Sequence, residues 1–284
     1  MGNSVLQRVN RRLAVVRARV DLKRPINDEI LNRSATHFGV PLILSMTTFS
    51  ARFDAVWKTL HSLSQQTVKP ARVLLVVAEA DYLSASTHPS ISPYLGLGVE
   101  LIADHGDRRS YKKLLPALER YPDSTVVTVD DDVLYPRTWL ELLVSTSYKN
   151  PNYIVGRRGT RIVLNGGDLG KYSEWPAATT STDPKLVFLT GMGGILYPPR
   201  SLHPDVTNWE LAHSLCPTAD DVWFKFMSLR NGWGSMVTGR GTGDFAVTES
   251  ASIESLMSQN VHLGRNDVQI RSMVNTYGAE VFHR

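Results

Sequence analysis

The sequence predicts an α/β protein with a Rossmann-like, mainly parallel sheet flanked by helices. After Pro41, short apolar segments of strand length alternate with amphipathic segments of helix length, which is typical of a parallel sheet with helical crossovers. The chain has 284 residues, of which 42% are hydrophobic and 20% charged, so it can bury a large core. We expect a basic extension over 1–38, a first α/β half over 39–150 and a second half over 151–284.

The elements of the first half are predicted from apolar periodicity. A strand is expected where a short apolar run is bounded by polar or turn residues, and a helix where apolar residues recur every three or four positions. These rules predict, in chain order, strand 41–48, helix 54–66, strand 72–80, strand 99–103, helix 110–121 and strand 125–133.

Beyond Pro151 the periodicity weakens, and glycine, tryptophan and proline become frequent. Two helices are still predicted, one around 218–232 and one over 267–277, because apolar residues return there at helical spacing. We expect this half to contact a second substrate, opposite the first half.

The first 24 residues form a strongly basic segment. It contains seven cationic side chains and one acidic side chain, Asp21, so its net charge is +6. The rest of the chain therefore carries −2 of the total charge of +4. Its apolar residues recur at spacings of three and four, so we expect a helix with an apolar stripe flanked by arginines. Such a helix can lie on an anionic membrane surface, or pack on the domain or a neighbouring subunit. The stripe consists of Leu6, Val9, Leu13, Val16 and Val20.

Composition also argues against several classes of protein. No apolar run approaches the roughly 20 residues of a membrane-spanning helix, and arginines interrupt the start where a secretory signal would be apolar. The single cysteine, Cys216, cannot form an internal disulfide, which fits a reducing compartment. Nucleic acid is not an expected partner, because the basic residues stay in one segment without a recognition motif. We expect a cytoplasmic protein, located at the inner face of the membrane if the basic helix binds lipid.

Three consecutive aspartates, Asp130, Asp131 and Asp132, end the last predicted strand of the first half. Ligands of open α/β sheets bind beyond the carboxyl ends of the strands. Clustered carboxylates repel one another, and a divalent cation such as Mn²⁺ or Mg²⁺ removes that conflict while recruiting a phosphorylated partner. Because side chains alternate along a strand, we expect Asp130 and Asp132 on one side and Asp131 on the other. The alternative is a solvated acidic turn before Pro136.

A basic segment, RRSYKKL from Arg108, precedes that strand. A diphosphate needs cationic partners besides its metal, and Lys113 at a helix start suits this role. For Arg108 and Lys112 taken singly, a solvated basic face is the simpler interpretation.

A second acidic pair, Asp220 and Asp221, lies in the first turn of a predicted helix that Thr218 can cap. The favourable position of acids at a helix start explains one of them. We expect the other to be a general base that removes a proton from a hydroxyl group.

Five motifs, in order, are similar to a family of bacterial GT-A glycosyltransferases that carry a DxD motif and are associated with surface polysaccharides. The resemblance covers about residues 40 to 275, and the motifs are PLILSMTTFSARF, RRSYKKLLPAL, VVTVDDDVLYP, TGMGGILYPP and CPTADDVWFKFM. It implies a metal-dependent transfer of a sugar from a nucleotide-diphosphate donor, usually a UDP-sugar, to a hydroxyl of a glycan or lipid-linked glycan. We expect inversion, because a candidate base is present, and the alternative is retention.

The resemblance also implies roles for individual residues. Asp221 is the expected base, beside Asp220, and Asp132 is the first expected metal ligand, followed by Asp130 and His262. For His262, an ordinary surface or core histidine is the alternative. Donor contacts are expected from Thr47, Thr48, Arg52, Glu79, Lys113, Asp130 and Asp131, and acceptor contacts from Trp175, Gly191, Gly193 and Gly194. Trp175 can stack on a sugar face or belong to the core.

Two other functions fit parts of the sequence. VVTVDDD also resembles the acidic strand of haloacid-dehalogenase-like phosphatases, with Asp220 and Asp221 as the later acids. Against this, Val133 follows the acids where that class has glycine, and three predicted strands precede them. The second alternative is a glycan-binding protein with a GT-A fold but no turnover, and the intact acidic motifs argue against it.

Overall fold

The computed structural model describes residues 2–106, 108–165, 168–239, 245–252 and 264–282, with side chains from residue 12 onwards, excepting those of 165 and 168. It confirms the predicted fold class, because a mainly parallel sheet is covered by helices on both faces.

The helices and strands alternate along the chain as expected for an α/β protein. The described helices are α1 (Gly2–Asp21), α2 (Phe53–Ser64), α3 (Tyr82–Thr87), α4 (Ser92–Gly96), α5 (Leu115–Arg120), α6 (Trp139–Lys149), α7 (Trp209–Leu215), α8 (Asp220–Arg230) and α9 (Arg265–Tyr277). The described strands are β1 (Thr36–His37), β2 (Val40–Thr47), β3 (Arg72–Ala78), β4 (Glu100–Asp104), β5 (Thr125–Val129), β6 (Val133–Leu134), β7 (Tyr153–Gly156), β8 (Gly159–Arg161), β9 (Leu164–Asn165), β10 (Asp168–Leu169), β11 (Val187–Leu189), β12 (Ile195–Tyr197), β13 (Gly234–Val237) and β14 (Ala246–Val247).

The central sheet has the strand order β13-β7-β12-β5-β2-β3-β4, with β1 paired to β2. Strands β2, β3, β4 and β5 are parallel, and Met46 of β2 lies opposite Val129 of β5. Strand β12 runs antiparallel between β5 and β7. The carboxyl ends of β2, β3 and β5 therefore meet the start of β12 at one edge of the sheet.

Two hydrophobic cores cover the two faces of this sheet. On β2 and β5, Ile43 and Val126 pack into one core, while Leu44 and Val127 pack into the other, because successive side chains of a strand point to opposite faces. All four are fully buried, and each such side chain contributes roughly 1.5–3 kcal/mol of hydrophobic stabilisation. The sheet edge that carries the acidic residues thus rests on a well-packed scaffold.

One predicted helix, 110–121, is divided in the structure. A 3₁₀ turn covers Arg109–Lys113, and α5 begins only at Leu115, with Pro116 in its first turn. A proline is tolerated there because its missing N–H would have no partner in the first turn, whereas inside a longer helix it would break a hydrogen bond. The division leaves Lys113 at the end of a tight turn.

The second half of the chain continues the same sheet through β7, β12 and β13. These strands were not predicted, because three or four residues are too few to reveal an alternating pattern. Both predicted helices of this half are present, as α8 and α9.

Candidate active site

The candidate site lies where three loops and one helix start meet at the carboxyl edge of the sheet. Asp130, Asp131 and Asp132 follow β5, Thr48 follows β2, and the glycine-rich loop at 190–194 leads into β12. The first turn of α8 approaches from the side of this loop, because Gly191 bonds to a residue of that turn.

Asp131 is buried and fully engaged within the protein. Its side chain accepts a hydrogen bond of 2.7 Å from the Thr48 hydroxyl and another of 2.7 Å from Arg52. Burial raises the pKa of Asp131, while Arg52 and Thr48 oppose that rise. Asp131 is 5% exposed and holds Arg52 and Thr48 in place, and the donor contact expected of it stays a prediction.

The three aspartates are grouped differently from the strand pattern, which predicted that Asp130 and Asp132 share one side and Asp131 lies on the other. Arg52 also donates to Asp132, over 3.0 Å, so this guanidinium joins Asp131 and Asp132, whereas Asp130 faces Lys113. The reason is that the ladder of β5 ends at Val129, and the aspartates form a turn in which strict alternation no longer applies.

Tyr135 supports this turn and was not expected at the site. Its hydroxyl oxygen accepts a hydrogen bond of 2.8 Å from the backbone N–H of Asp130, and its ring is buried. The only signal in the sequence is its position shortly after the three aspartates, in a segment whose turn geometry could not be foreseen.

Lys113 connects the aspartates of β5 to those of α8. Its ammonium nitrogen lies 3.0 Å from Asp220 and 3.8 Å from Asp130. Burial lowers the pKa of Lys113, but Asp220, Asp130 and Asp221 together outweigh that effect and raise it, so the side chain stays charged. Arg108, by contrast, pairs with Asp104 and Glu119 away from these acids.

Asp221 is held by the glycine-rich loop. The backbone N–H of Gly191 donates to its Oδ2 over 3.0 Å, and its Oδ1 has no hydrogen-bond partner within the described residues. Burial and the neighbouring Asp220 raise the pKa of Asp221 to about 7, against the lowering effects of Lys113 and the Gly191 N–H. Such a carboxyl group can exchange a proton near neutral pH.

Gly191 is required by the close approach of Lys113. A Cβ atom at this position would lie 2.6 Å from the Lys113 ammonium nitrogen and 3.5 Å from Asp221 Oδ1. The absence of a side chain therefore lets the loop, the lysine and the carboxylate share one small space.

Gly193 and Gly194 serve the turn into β12. Their φ angles of +92° and +90° favour glycine, and a Cβ at Gly194 would come within 2.4 Å of the Trp139 ring. Trp139 also donates its indole N–H to the Gly193 carbonyl over 2.6 Å. Of the three glycines expected on the acceptor side, Gly191 lies against Lys113 and Asp221, whereas Gly193 and Gly194 shape the turn into β12.

The start of α8 differs from the prediction in its cap. Asp220 and Asp221 do occupy the first turn, but Ala219 stands at the N-cap and Thr218 does not cap the helix. Instead, the Gln269 side chain of α9 accepts hydrogen bonds from the N–H groups of Thr218 and Ala219, both over 3.0 Å. Because Gln269 is distant in sequence, local pattern could not identify it.

Trp175 belongs to the core. It is 7% exposed, its indole N–H donates to the Gly170 carbonyl over 3.0 Å, and Tyr172 and Phe188 pack around its ring. A ring enclosed in this way has no free face for a sugar, which corrects the expectation of acceptor stacking.

Glu79 and Thr47 lie at the same edge of the sheet and differ in their exposure to solvent. The Thr47 hydroxyl donates to the Val76 carbonyl over 2.9 Å, so it is used within the sheet. Glu79 is exposed beyond β3 and lies 2.9 Å from His105 Nδ1. Hydrogen bonding to Glu79 raises the pKa of His105, a residue that the sequence pattern did not single out.

A divalent cation would find Asp130 and Asp132 as its protein ligands here. His262 lies outside the described residues, and within those residues no three His, Cys, Asp or Glu side chains are grouped to hold a metal. Burial raises the pKa of both aspartates, as does mutual repulsion within the triplet, so additional positive charge would be favourable. Mg²⁺-type ions often take only one or two carboxylates and complete their coordination with water and substrate phosphates, and the pair fits this mode.

Comparison with known proteins finds a similar fold but no sequence family. No protein-family model and no curated protein matches the chain. The chain is similar to the solved structure of the mannosyltransferase PcManGT from Pyrobaculum calidifontis in complex with GDP-Man and Mn²⁺, with a TM-score of 0.53 and 15% identity. The match covers 99% of this chain and 77% of that chain. The chain therefore shares its α/β fold with this mannosyltransferase.

Proposed function

We propose that this protein is a metal-dependent glycosyltransferase that transfers a sugar from a nucleotide-diphosphate donor to a hydroxyl group of a glycan or lipid-linked glycan. The observation that carries the proposal is the Lys113 bridge, which joins the acids after β5 to the acids of α8 at the carboxyl edge. This edge is where open α/β sheets bind ligands, and the fold is shared with a mannosyltransferase.

The aspartates after β5 form the donor side of the proposed site. Asp130 and Asp132 are the residues that would hold Mn²⁺ or Mg²⁺, and when bound the ion stabilises negative charge on the leaving diphosphate. Arg52 is fixed beside them by Asp131, so its guanidinium is oriented before any ligand arrives. Preorganised charge of this kind costs little reorganisation during reaction.

Asp221 is the proposed base. As the acceptor oxygen forms its bond to the anomeric carbon, the hydroxyl proton passes to Asp221, and the bond from that carbon to the diphosphate oxygen breaks, releasing the nucleoside diphosphate. This single displacement inverts the anomeric configuration. The raised pKa of Asp221, about 7, suits a base that works near neutral pH, whereas Asp220 is bound to Lys113.

The donor is tested directly by thermal unfolding with UDP- and GDP-sugars, with and without Mn²⁺. The family resemblance implies a UDP-sugar, and the structural neighbour was solved with GDP-Man, so both nucleotides belong in the panel. A ligand at 100 times its Kd stabilises the folded state by about 2.7 kcal/mol, which raises the unfolding temperature by several degrees. We expect a Mn²⁺-dependent rise for one nucleotide class, which Asp132→Asn removes and Asp123→Asn, at an exposed position, does not.

Turnover separates the proposal from its two alternatives. We expect Mn²⁺-dependent release of nucleoside diphosphate from the stabilising donor. Stabilisation without release by the wild-type protein would indicate a glycan- or nucleotide-binding protein. Phosphate release from simple phosphate esters, lost in Asp130→Asn, would indicate the phosphatase. Neither stabilisation nor release across the whole panel would refute the glycosyltransferase proposal.

We further propose that the acceptor is part of a cell-surface polysaccharide under assembly and that the enzyme acts in the cytoplasm. The family resemblance supports the acceptor class. Within the described residues, no helix is both long enough and apolar enough to cross a bilayer.

A further inference from the structure

Among its described side chains, from residue 12 onwards, helix α1 has one half-buried apolar face and one exposed apolar face. Ala14, Val15 and Ala18 are half-buried and lie on one side of the helix, and Leu22, in the turn that follows it, is half-buried as well. On this side α1 packs against β14, and the ring of His61 lies 3.1 Å from the Asp21 carbonyl. The sequence analysis gave packing of the apolar stripe on the domain as one alternative. The helix does pack on the domain, but the half-buried residues are not members of that stripe.

The opposite face of α1 is exposed along the part of the helix whose side chains are described, residues 12–21. Leu13, Val16 and Val20, at positions i, i+3 and i+7, form a line along the helix and are 48%, 57% and 54% exposed. At about 100° per residue this line lies on the side away from Ala18. The described part of the protein therefore leaves a continuous apolar stripe facing outwards.

Arginines border this stripe on both sides. At the same helical spacing, Arg12 and Arg19 fall along one border and Arg17 along the other, and all three are exposed. Arg24 pairs with Asp21 over 3.0 Å, and Asp21 is the only acid among the first 24 residues. An apolar line with arginines on both borders is typical of a helix that lies in the plane of an anionic membrane surface.

The positive charge of this face favours an anionic lipid surface over a second copy of α1 as its partner. A second copy of α1 would bring its arginines close to Arg12, Arg17 and Arg19, and like charges repel one another. A bilayer rich in anionic phospholipid offers acyl chains to the stripe and phosphate groups to the arginines, and each cation near such a surface strengthens binding. A lipid surface is thus complementary to both parts of the outer face.

We propose that the outer face of α1 docks on an anionic phospholipid bilayer. The partner of α1, strand β14, pairs with β6 with Val247 opposite Val133, and the Thr248 N–H donates to the Asp132 carbonyl over 2.8 Å. The docked helix is therefore separated from the aspartates by a single two-stranded ribbon. Docking itself is independent of catalysis. Only its consequence, that a lipid-linked acceptor is met at the membrane surface, rests on the proposed function.

Vesicle co-sedimentation of the full chain tests the docking. We expect binding to vesicles of equal parts phosphatidylglycerol and phosphatidylcholine, little binding to phosphatidylcholine alone, and weakening as salt screens the arginines. Arg12→Gln/Arg19→Gln should weaken binding by about 25-fold, since each cation near an anionic surface is worth about fivefold. Leu13→Ser/Val16→Ser should weaken it by about tenfold or more, because the buried apolar area falls.

Matched controls distinguish binding through the apolar stripe from nonspecific binding to vesicles. Leu83→Ser/Val268→Ser removes the same two side-chain types at positions that are 77% and 58% exposed elsewhere. Arg33→Gln/Arg161→Gln removes two exposed arginines outside α1. Both controls should bind vesicles like the unmodified protein, and all variants should keep their unfolding temperature, because none of these side chains is buried.

A local probe identifies the contact itself. The single native cysteine, Cys216, is fully buried, so a Val16→Cys variant can be labelled selectively with an environment-sensitive fluorophore. We expect its emission to shift to the blue with phosphatidylglycerol vesicles, whereas the same label on Val268→Cys should not respond.

Three results would overturn the docking. These are absence of binding to anionic vesicles, equal loss of binding in stripe and control variants, or a dimer that Leu13→Ser/Val16→Ser converts to a monomer, which would assign the face to a second copy. Donor hydrolysis without an acceptor should stay unchanged in every α1 variant. If the wild-type protein itself shows no donor hydrolysis, this would count against the proposed function, and the lipid-binding result would still stand.

Discussion

Lys113 and Asp220 form a buried ion pair, with 3.0 Å between the ammonium nitrogen and the carboxylate oxygen. Both side chains are about 10% exposed, so the pair is weakly screened by water. The pair joins the first turn of α8 to the 3₁₀ turn Arg109–Lys113, and the Lys113 ammonium nitrogen also lies 3.8 Å from Asp130. Lys113 thereby brings the two acidic clusters of the sequence into one site.

Removal of Lys113 should destabilise the fold markedly. In Lys113→Met the neighbouring carboxylates lose their cation, and breaking a buried pair in this way costs about 3–5 kcal/mol. Lys58→Met, at a pair whose Glu249 is 66% exposed, should cost about 1 kcal/mol or less. Urea unfolding measures both. Addition of Asp220→Asn to Lys113→Met should recover part of the loss, and full additivity would argue against the coupling.

Substitution of Asp221 by asparagine should separate binding from transfer. We expect donor binding to be nearly unchanged while the transfer rate falls by about 10²–10⁴-fold, the usual contribution of a general base. Thermal shift and product formation measure the two quantities. Equal loss of both would instead assign Asp221 to ligand binding.

The same residue predicts the pH dependence of the rate. Because the pKa of Asp221 is raised to about 7, kcat/KM should rise with pH through this value as the carboxyl group loses its proton. For stability the sign is opposite: the carboxylate is costly to bury, so the fold loses stability between the unfolded pKa of 3.8 and about 7 as pH rises. Asp221→Asn should flatten both dependences, and an unchanged rate profile in this variant would contradict the assignment.

Gly191→Ala should impair activity more than stability. Its methyl group would lie 2.6 Å from the Lys113 ammonium nitrogen, and the flexible end of that side chain can move away from Asp220 and Asp221 to make room. We expect transfer to fall at least tenfold with a modest change in unfolding free energy, roughly 1–2 kcal/mol. Gly96→Ala, with no atom within 4 Å of the added carbon, is the matched control and should leave both quantities unchanged.

Lys225 should give the fold a second pH dependence, in a different range. Burial lowers its pKa from 10.5 to about 7, so between these values the folded protein binds fewer protons than the unfolded chain. Stability from this residue is therefore lost as pH falls towards 7 and gained as pH rises above it. Urea unfolding at pH 6 and pH 9 should show a smaller difference for Lys225→Met than for the unmodified protein, and an equal difference would refute the shift.

The sequence alone determined the class of the fold and the location of the acids. Apolar runs such as Val73–Val77 are long enough to reveal buried strands, and parallel strands place their carboxyl ends at one edge whatever the details of packing. Asp130 and Asp221 were therefore assigned to a strand end and a helix start from local pattern. The short strands β7, β12 and β13 carry too little periodicity for such an assignment.

Only the tertiary structure decided which of these residues act together. The Lys113–Asp220 pair, the Gln269 cap on α8 and the enclosure of Trp175 all depend on contacts between segments distant in the chain. Hydrophobic periodicity reports which face of an element is buried, and it carries no information about the partner that buries it. The sequence could therefore indicate Asp221 and Gly191 only separately. The hydrogen bond of 3.0 Å from the Gly191 N–H to the Asp221 carboxylate depends on the packing of α8 against the loop before β12.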